Sequence, residues 1–160
     1  LGDQGRWAKH TQFEQAMHCP LIVRLPGHQT TTGQTKAIVE SVDIYPTLCE
    51  FAGLPVPEFV EGTSFVPVVK GESKGKKAAF SQIRPVDRKQ QNLMAYSIRT
   101  KDFRYVEWRE PDHENRIHSR ELFDLRKHPA ELENVADHPD YAKVLVEHAK
   151  LVAENYSSLQ

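Results

Sequence analysis

The second half of the sequence contains two strand candidates whose connection is so short that the strands must lie side by side. Residues 93–100 and 103–108 are rich in β-branched and aromatic side chains, and only Lys101-Asp102 separates them. Two strands joined by two residues pair as an antiparallel hairpin. Residues 79–83 and 121–125 are further strand candidates in the same half. The sequence therefore predicts a small antiparallel sheet.

An amphipathic helix is predicted to follow this sheet. Asp137 is its expected N-cap, because Pro139 then occupies the first turn, where proline is tolerated. The apolar positions that share one helical face are Tyr141, Val144, Leu145, His148, Leu151, Val152 and Tyr156. A helix of this kind packed on an antiparallel sheet forms an α+β layer.

The first half of the chain has a different pattern. Leu21-Ile22-Val23 and Leu25 form an almost continuous apolar run that ends at a Pro-Gly pair. Such a run is typical of a strand that is buried on both faces of a parallel sheet. Residues 37–39 are a second strand candidate.

A short helix is predicted between residues 43 and 52. Asp43 is the expected N-cap, Pro46 falls in the first turn, and Gly53 ends the helix. The apolar stripe that we expect to face the core consists of Ile44, Leu48, and Phe51 or Ala52.

Composition excludes several classes of protein. Of the 160 residues, 27% are charged and 39% are hydrophobic, which is ordinary for a globular protein. The formal net charge of −1 gives no basic field to attract nucleic acid or an anionic membrane. The lysines at 74, 76 and 77 are interpreted as a solvated loop. No apolar run approaches the roughly 18–20 residues that a membrane span needs.

The sequence gives no pattern of metal ligands. Cys19 and Cys49 are too few for a disulfide framework or a zinc site, and both are predicted to be buried thiols. The histidines share no ligand spacing. We therefore predict no metal site within this chain.

Four motifs occur in order along the chain. The first is L-G-D-x-G-x-W-A-K-x-x-x-F-E-x-A, followed by P-L-I, at residues 1–22. The second is V-D-I-x-P-T-L-x-x-x-A-G-L at 42–54. The third is M-x-Y-S-I-R-T followed by F-R-Y-x-x-W at 94–108, and the fourth is E-L-F-D-L-x-x-x-P-x-E-x-x-N-V-A at 121–136. Together they resemble the sulfatase family, and most of all iduronate-2-sulfatases and their bacterial relatives.

The resemblance implies an α/β fold of the alkaline-phosphatase-like type for the parent protein. On this basis residues 1–77 are the C-terminal portion of the α/β core, with late elements of the large sheet. Residues 78–160 are the small C-terminal α+β subdomain, with an antiparallel sheet and a C-terminal helix. The implied activity is hydrolysis of a sulfate ester of a sulfated sugar. Similar enzymes are secreted, periplasmic or lysosomal.

The resemblance also implies three site residues. The lysine of W-A-K contacts the sulfate ester in this family, so Lys9 is the predicted catalytic and substrate-binding residue. His10 is predicted to bond a substrate hydroxyl or carboxylate, and the alternative is an exposed loop histidine. Arg99 is predicted to reach an anionic sugar. Its alternative is a buried ion pair that holds the subdomain against the main sheet.

The cofactors that the resemblance implies are expected to lie upstream of this chain. Sulfatases use a formylglycine nucleophile made from the cysteine of C-x-P-S-R, and neither Cys19 nor Cys49 has that context. The Ca²⁺ ligands of the family precede Leu1, so the chain is expected to be a fragment that begins inside a motif. The fragment alone is predicted to be inactive, and its expected partner is the missing N-terminal part.

Two alternative functions remain open at this point. A phosphonate or phosphate monoester hydrolase of the same superfamily would place a lysine similarly. The other alternative is a non-catalytic binding module that reuses the α+β layer.

Overall fold

The computed structural model describes residues 2–5, 9–25, 33–84, 92–113 and 115–156. Its helices and strands, in chain order, are α1 Glu14–Met17, α2 Ile44–Phe51, α3 Val66–Val69, β1 Ala78–Ile83, β2 Met94–Thr100, β3 Phe103–Glu110, β4 Arg116–Asp124 and α4 Ala142–Asn155. Short 3₁₀ turns lie at Asp3–Gly5, Ser41–Asp43 and Pro139–Tyr141.

The chain divides into two compact units that are not both continuous in sequence. One unit combines Leu1–Pro20 with Phe80–Gln160, and the other is Leu21–Ala79. The first twenty residues group with the small sheet because their side chains bond to it. The predicted division into residues 1–77 and 78–160 concerns the parent protein, and it stays a prediction.

The small sheet has the strand order β1-β2-β3-β4. The β2–β3 pair is antiparallel and Arg99 faces Arg104 beside the Lys101-Asp102 turn, so the predicted hairpin is confirmed. The β3–β4 pair is also antiparallel and contains a register shift between Trp108 and Arg109. Strand β4 begins at residue 116, five residues earlier than predicted, because its first half is polar and largely exposed.

Helix α4 contacts strands β2 and β3, which confirms the predicted α+β layer. The buried residues of the helix are His148 and Val152, and both lie on the predicted face. The ring of His148 lies edge-on to Phe103, with their centroids 5.6 Å apart. Tyr141 makes a similar edge contact with Phe103.

The predicted cap of this helix is wrong by one residue. His138, not Asp137, has the extended backbone that precedes the turn, and its side chain accepts a hydrogen bond from the amide of Asp140. A 3₁₀ turn at Pro139–Tyr141 then leads into α4. The residue before a proline is biased toward extended backbone, which places the cap at His138.

In the second unit, α2 begins and ends close to the predicted residues. Gly53 has φ 66° and its amide bonds to the carbonyl of Glu50, while the amide of Leu54 bonds to the carbonyl of Cys49. This pair of bonds is a Schellman motif, which requires the left-handed backbone that glycine adopts readily. Pro46 lies in the first turn and is buried.

Asp43 does not cap α2 with its side chain, which corrects the prediction. Its backbone is already helical, and its buried carboxylate accepts bonds from the amides of Glu40 at 2.9 Å and Thr63 at 2.8 Å. The ammonium of Lys76 donates to Asp43 and to Glu40, each at 2.6 Å. Burial of Lys76 acts against its charge, but these bonds outweigh it and raise its pKa. Lys76 is therefore an ion-pair residue and not part of a solvated loop.

The apolar stripe predicted for α2 does not face the core of this unit. Leu48 is 60% exposed and Ile44 is 37% exposed, while Thr47 and Cys49 are buried. Thr47 can be buried because its hydroxyl donates to the carbonyl of Asp43 and accepts from the amide of Phe65. The prediction of a buried thiol is confirmed for Cys49.

The predicted strands of the first half do not form within the described part of the chain. Residues 21–25 have no strand assignment, and Ile22 is 91% exposed. Residues 37–39 contribute only a bridge from Ile38 to Gly75 and Lys76. A strand buried on both faces needs neighbouring strands, and the described residues offer none to residues 21–25. Cys19, two residues before this run, is exposed, which corrects the prediction that its thiol is buried.

Replacing Val152 tests the contact between α4 and the sheet. Val152 is 1% exposed and Val146, on the same helix, is 67% exposed. We expect Val152→Ala to lower the free energy of unfolding by about 2 kcal/mol, because it removes buried methyl groups and leaves a cavity. Val146→Ala should stay within about 0.5 kcal/mol. Urea unfolding measures both, and equal effects would contradict the placement of α4.

His148 should make stability depend on pH. Burial lowers its pKa below the ordinary 6.5, because the charged ring would lose hydration. At pH values below 6.5 the unfolded chain binds a proton at this position more readily than the folded chain does. The contribution of His148 to the free energy of unfolding is therefore fully present above pH 6.5 and declines as pH falls. We expect His148→Leu to flatten the dependence of the urea midpoint between neutral pH and about pH 5. The exposed control, His113→Leu, should keep the original slope.

Candidate functional site

Lys9 and His10 lie in a loop before α1 whose described residues, 9–13, are irregular, and both side chains are exposed. The amide of Thr11 bonds to the carbonyl of Lys9 at 2.8 Å, so the chain turns tightly at His10. The preceding Trp and Ala of the W-A-K motif lie outside the described residues. The side chain of the predicted lysine is thus exposed and not part of the core.

The residues just after His10 attach the loop to the small sheet. Gln12 is buried, and its Oε1 accepts a hydrogen bond from the hydroxyl of Ser81 on β1 at 2.7 Å. The ring of Phe13 lies edge-on to Phe123 of β4, with centroids 5.8 Å apart. The segment therefore has a polar and an aromatic attachment within three residues of His10.

A buried group of charges lies behind this loop, and we call Glu14, Arg99, Arg104 and Glu131 the Arg104 cluster. Arg104 is 2% exposed, and its Nε donates to Glu131 Oε1 at 2.5 Å. A second guanidinium nitrogen of Arg104 donates to Glu14 Oε2. The other carboxylate oxygen of Glu131 accepts the amide of Glu14 at 2.6 Å. One guanidinium thus joins the start of α1 to the loop that follows β4.

Arg99 completes the cluster. Its Nε and Nη2 lie 2.9 Å and 3.2 Å from the two carboxylate oxygens of Glu14, a bidentate pair. Burial acts to raise the pKa of Glu14, but the bonds and charges of Arg99 and Arg104 outweigh it and lower that pKa. Glu14 is therefore held as a carboxylate between two arginines.

Two residues near the cluster have an unusual backbone. Gln4 has φ 53° and Glu131 has φ 54°, a left-handed conformation that residues other than glycine adopt rarely. The two residues are also in contact, because the amide of the Gln4 side chain donates to the carbonyls of Ala130 at 2.5 Å and Glu131 at 3.2 Å. Strained backbone of this kind persists where surrounding bonds hold it, and it is frequent at functional sites.

The structure places the three predicted site residues as follows. Lys9 and His10 are adjacent and exposed on the loop. Arg99 lies on β2 and pairs with Glu14, four residues beyond His10. The ion-pair alternative for Arg99 therefore has a partner in this chain, although that partner is on α1 and not on a large sheet.

Sequence reasoning missed the rest of the cluster, although its residues lie inside the quoted motifs. Glu14 is the acid of F-E-x-A, Arg104 is the arginine of F-R-Y, and Glu131 is the acid of P-x-E. These three charges come from three of the four motifs, and no spacing along the chain shows that they meet.

Two further properties bear on the site. Among the described residues, no group of three or more His, Cys, Asp or Glu side chains is arranged to hold a metal ion. These residues therefore do not fit a calcium site of their own. None of the helices in the described ranges is long and apolar enough to cross a membrane.

Comparison with known families decides the relationship. Residues 2–157 match the family model for the C-terminal part of N-sulphoglucosamine sulphohydrolase. The chain belongs to this sulfatase family. The resemblance seen in the four motifs is thus confirmed over nearly the whole sequence.

Individual relatives agree with this assignment. The N-acetylglucosamine-6-O-sulfatase of Bacteroides thetaiotaomicron is 31% identical over 158 residues, which cover 96% of this chain and 27% of that enzyme. Human iduronate 2-sulfatase is 30% identical, with 68% of this chain and 30% of that enzyme covered. The solved phosphonate monoester hydrolase of Agrobacterium radiobacter has a TM-score of 0.62 at 28% identity, with 79% of this chain and 26% of that chain covered. The sulfatase-like chain thus spans less than a third of the length of these relatives.

Replacing Glu14 tests the cluster. We expect Glu14→Gln to lower the free energy of unfolding by about 3 kcal/mol at neutral pH, because Arg104 then lacks one of its two anions in a buried site. Because the pKa of Glu14 is lowered in the folded chain, its carboxylate stabilises the fold at pH values above 4.5, the pKa in the unfolded chain. This contribution is lost as pH falls. The difference between the two proteins should therefore shrink below pH 4.5.

The matched control is Glu147→Gln on the exposed side of α4, where the carboxylate lies 4.0 Å from Lys143. That change should cost less than about 0.5 kcal/mol. Urea unfolding at both pH values measures the two variants, and a Glu14 effect that does not change with pH would contradict the ionic assignment.

Proposed function

We propose that this chain is the C-terminal part of a sulfatase that hydrolyses a sulfate ester of a sulfated sugar. Its residues 2–157 belong to a sulfatase family. Relatives are named as an N-acetylglucosamine-6-O-sulfatase and an iduronate 2-sulfatase. The observation that carries the proposal is Lys9, which is exposed at the motif position of the sulfate-binding lysine while its loop is tied to a buried ionic cluster.

In this proposal Lys9 pairs with the sulfate group. An ammonium is a compact point charge with three donors, and it suits a sulfate oxygen that gains charge as the ester bond breaks. His10, which follows it and is exposed, bonds a hydroxyl or carboxylate of the sugar. Arg99 stays a predicted sugar contact, with a quarter of its side chain exposed beside its pair with Glu14.

The remainder of the parent protein supplies the nucleophile and the metal in this proposal. A formylglycine in that remainder would supply the attacking group, and a Ca²⁺ ion bound there would neutralise charge on the sulfate oxygens. Cys19 is exposed, but it stands in Cys-Pro-Leu-Ile and not in C-x-P-S-R. The chain by itself is therefore expected to be inactive. A secreted, periplasmic or lysosomal location is part of the same proposal.

The surface of the unit formed by Leu21–Ala79 supports the proposal that this chain is part of a larger fold. Its exposed apolar residues include Leu21, Ile22, Val23, Val42, Ile44, Tyr45 and Leu48. The first three form the run that is predicted to be a buried strand, and the last three form the outer face of α2. Apolar surface of this extent is uncommon on an independent protein and is typical of a surface that another segment covers. It argues against an independent binding module.

A phosphonate or phosphate monoester hydrolase remains the second candidate. The similarity to a solved phosphonate monoester hydrolase, with a TM-score of 0.62, favours keeping it. The parent enzyme can be assayed with nitrophenyl sulfate and with a nitrophenyl phosphonate ester under the same conditions. The sulfatase proposal requires the higher kcat/KM for the sulfate ester, and the reverse preference would replace it with the second candidate.

Replacing Lys9 tests its role in the full-length enzyme that contains this sequence. We expect Lys9→Ala to lower kcat/KM for a sulfate ester by about 10²-fold, because one cation that stabilises the transition state is lost. Lys143→Ala removes an exposed lysine from α4 and should leave activity unchanged. Normal activity of the Lys9 variant would refute the proposed role.

A further inference from the structure

Glu131 contacts both ends of the loop that carries Lys9 and His10. Its carbonyl accepts a hydrogen bond from the side-chain amide of Gln4, on the N-terminal side, at 3.2 Å. Its carboxylate accepts the backbone amide of Glu14, on the C-terminal side, at 2.6 Å. One residue, far away in sequence, thus contacts described residues on both sides of Lys9 and His10.

The environment of Glu131 makes these contacts rigid. The residue is 1% exposed, and Arg104 neutralises its carboxylate through the bond to Oε1. Its left-handed backbone is held by a bond from its own amide to the carbonyl of His128 at 2.9 Å. A buried carboxylate with a charged partner and two further bonded groups has little freedom to move. Any movement of Glu131 would shift both ends of the loop.

Lys9 needs such support because, among the described residues, no hydrogen bond or ion pair holds its side chain in place. Its side chain is long, flexible and exposed, so the position of the ammonium depends on where the backbone of the loop lies. A displacement of about 1 Å in a reacting geometry can cost 10²-fold in rate. The bond between Gln12 and Ser81 restrains only the later part of the loop.

We infer that Glu131, neutralised by Arg104, is a positioning residue for Lys9. It acts through the two ends of the loop and does not touch substrate. This inference rests on the proposed function, since it assigns Lys9 to the sulfate. The small subdomain then contributes to the reaction by fixing where the sulfate-binding lysine stands.

The test compares Glu131→Gln with Glu107→Gln in the full-length enzyme. Glu107 is a matched control because it is equally buried, and it bonds Tyr105 at 2.6 Å and the Nε of Arg109 at 2.7 Å within the sheet. Both variants should melt at a lower temperature than the parent. Assayed where both are folded, Glu131→Gln should lower kcat/KM by roughly tenfold or more. Glu107→Gln should stay within about twofold, as expected for a change that only affects stability. Equal losses in the two variants would overturn the inference.

A double-mutant cycle with Lys9→Ala shows whether the effect passes through the lysine. If Glu131 acts by placing Lys9, Glu131→Gln should cause no further loss once Lys9 is gone. Losses that multiply would show that Glu131 acts elsewhere and would overturn the inference.

Hydrogen–deuterium exchange separates failure of this inference from failure of the proposed function. Residues 9–14 should exchange faster in Glu131→Gln than in Glu107→Gln, because only the first change releases the loop. Unchanged exchange would overturn the inference whatever reaction the enzyme catalyses. An enzyme that lacks sulfatase activity, or that keeps it in Lys9→Ala, would refute the proposed function and with it the role of Lys9. In that case faster exchange would still show that Glu131 holds the loop.

Discussion

The guanidinium of Arg104 is the charge on which the arrangement of the site depends. An arginine that is 2% exposed cannot rely on water, so its charge must meet carboxylates inside the protein. Those carboxylates are Glu14 and Glu131, and they come from opposite ends of the sequence. Arg104 lies on β3, and its pairing with these two carboxylates explains why the first twenty residues belong to the same compact unit as the small sheet. The loop with Lys9 is consequently supported by the C-terminal part of the chain.

The second unit follows the same rule with a different set of charges. The carboxylate of Asp43 is buried and has two backbone amides and the ammonium of Lys76 as donors. These bonds satisfy the carboxylate and join the turn before α2 to two later loops. In both units a buried carboxylate holds irregular segments together, because these segments have no regular backbone pairing of their own. The family motifs therefore contain residues whose role is to connect segments as well as to pack.

Two of the wrong predictions in the first half, the strand at residues 21–25 and the core-facing stripe of α2, share one cause. The run at Leu21-Ile22-Val23 and the outer face of α2 have the apolar composition of buried elements, yet both are exposed in this chain. An apolar composition shows that a segment is suited to a buried position. The segment is buried only if neighbouring segments cover it. This chain spans less than a third of the length of relatives such as the N-acetylglucosamine-6-O-sulfatase and iduronate 2-sulfatase. The apolar pattern alone was therefore misleading about the burial of these segments in this chain.

The sequence by itself determined the local structure and the family. Hairpin spacing at Lys101-Asp102, the helical face around Val152 and the glycine after α2 are short-range features, so neighbouring residues suffice to specify them. The W-A-K motif also identified Lys9 as a predicted site residue. Only the tertiary structure decided that Glu14, Arg104 and Glu131 meet, that Arg99 joins them, and that Glu131 contacts both ends of the Lys9 loop. The physical reason is that charge pairing depends on distance in space, and residues 14, 104 and 131 become neighbours only after the chain has folded.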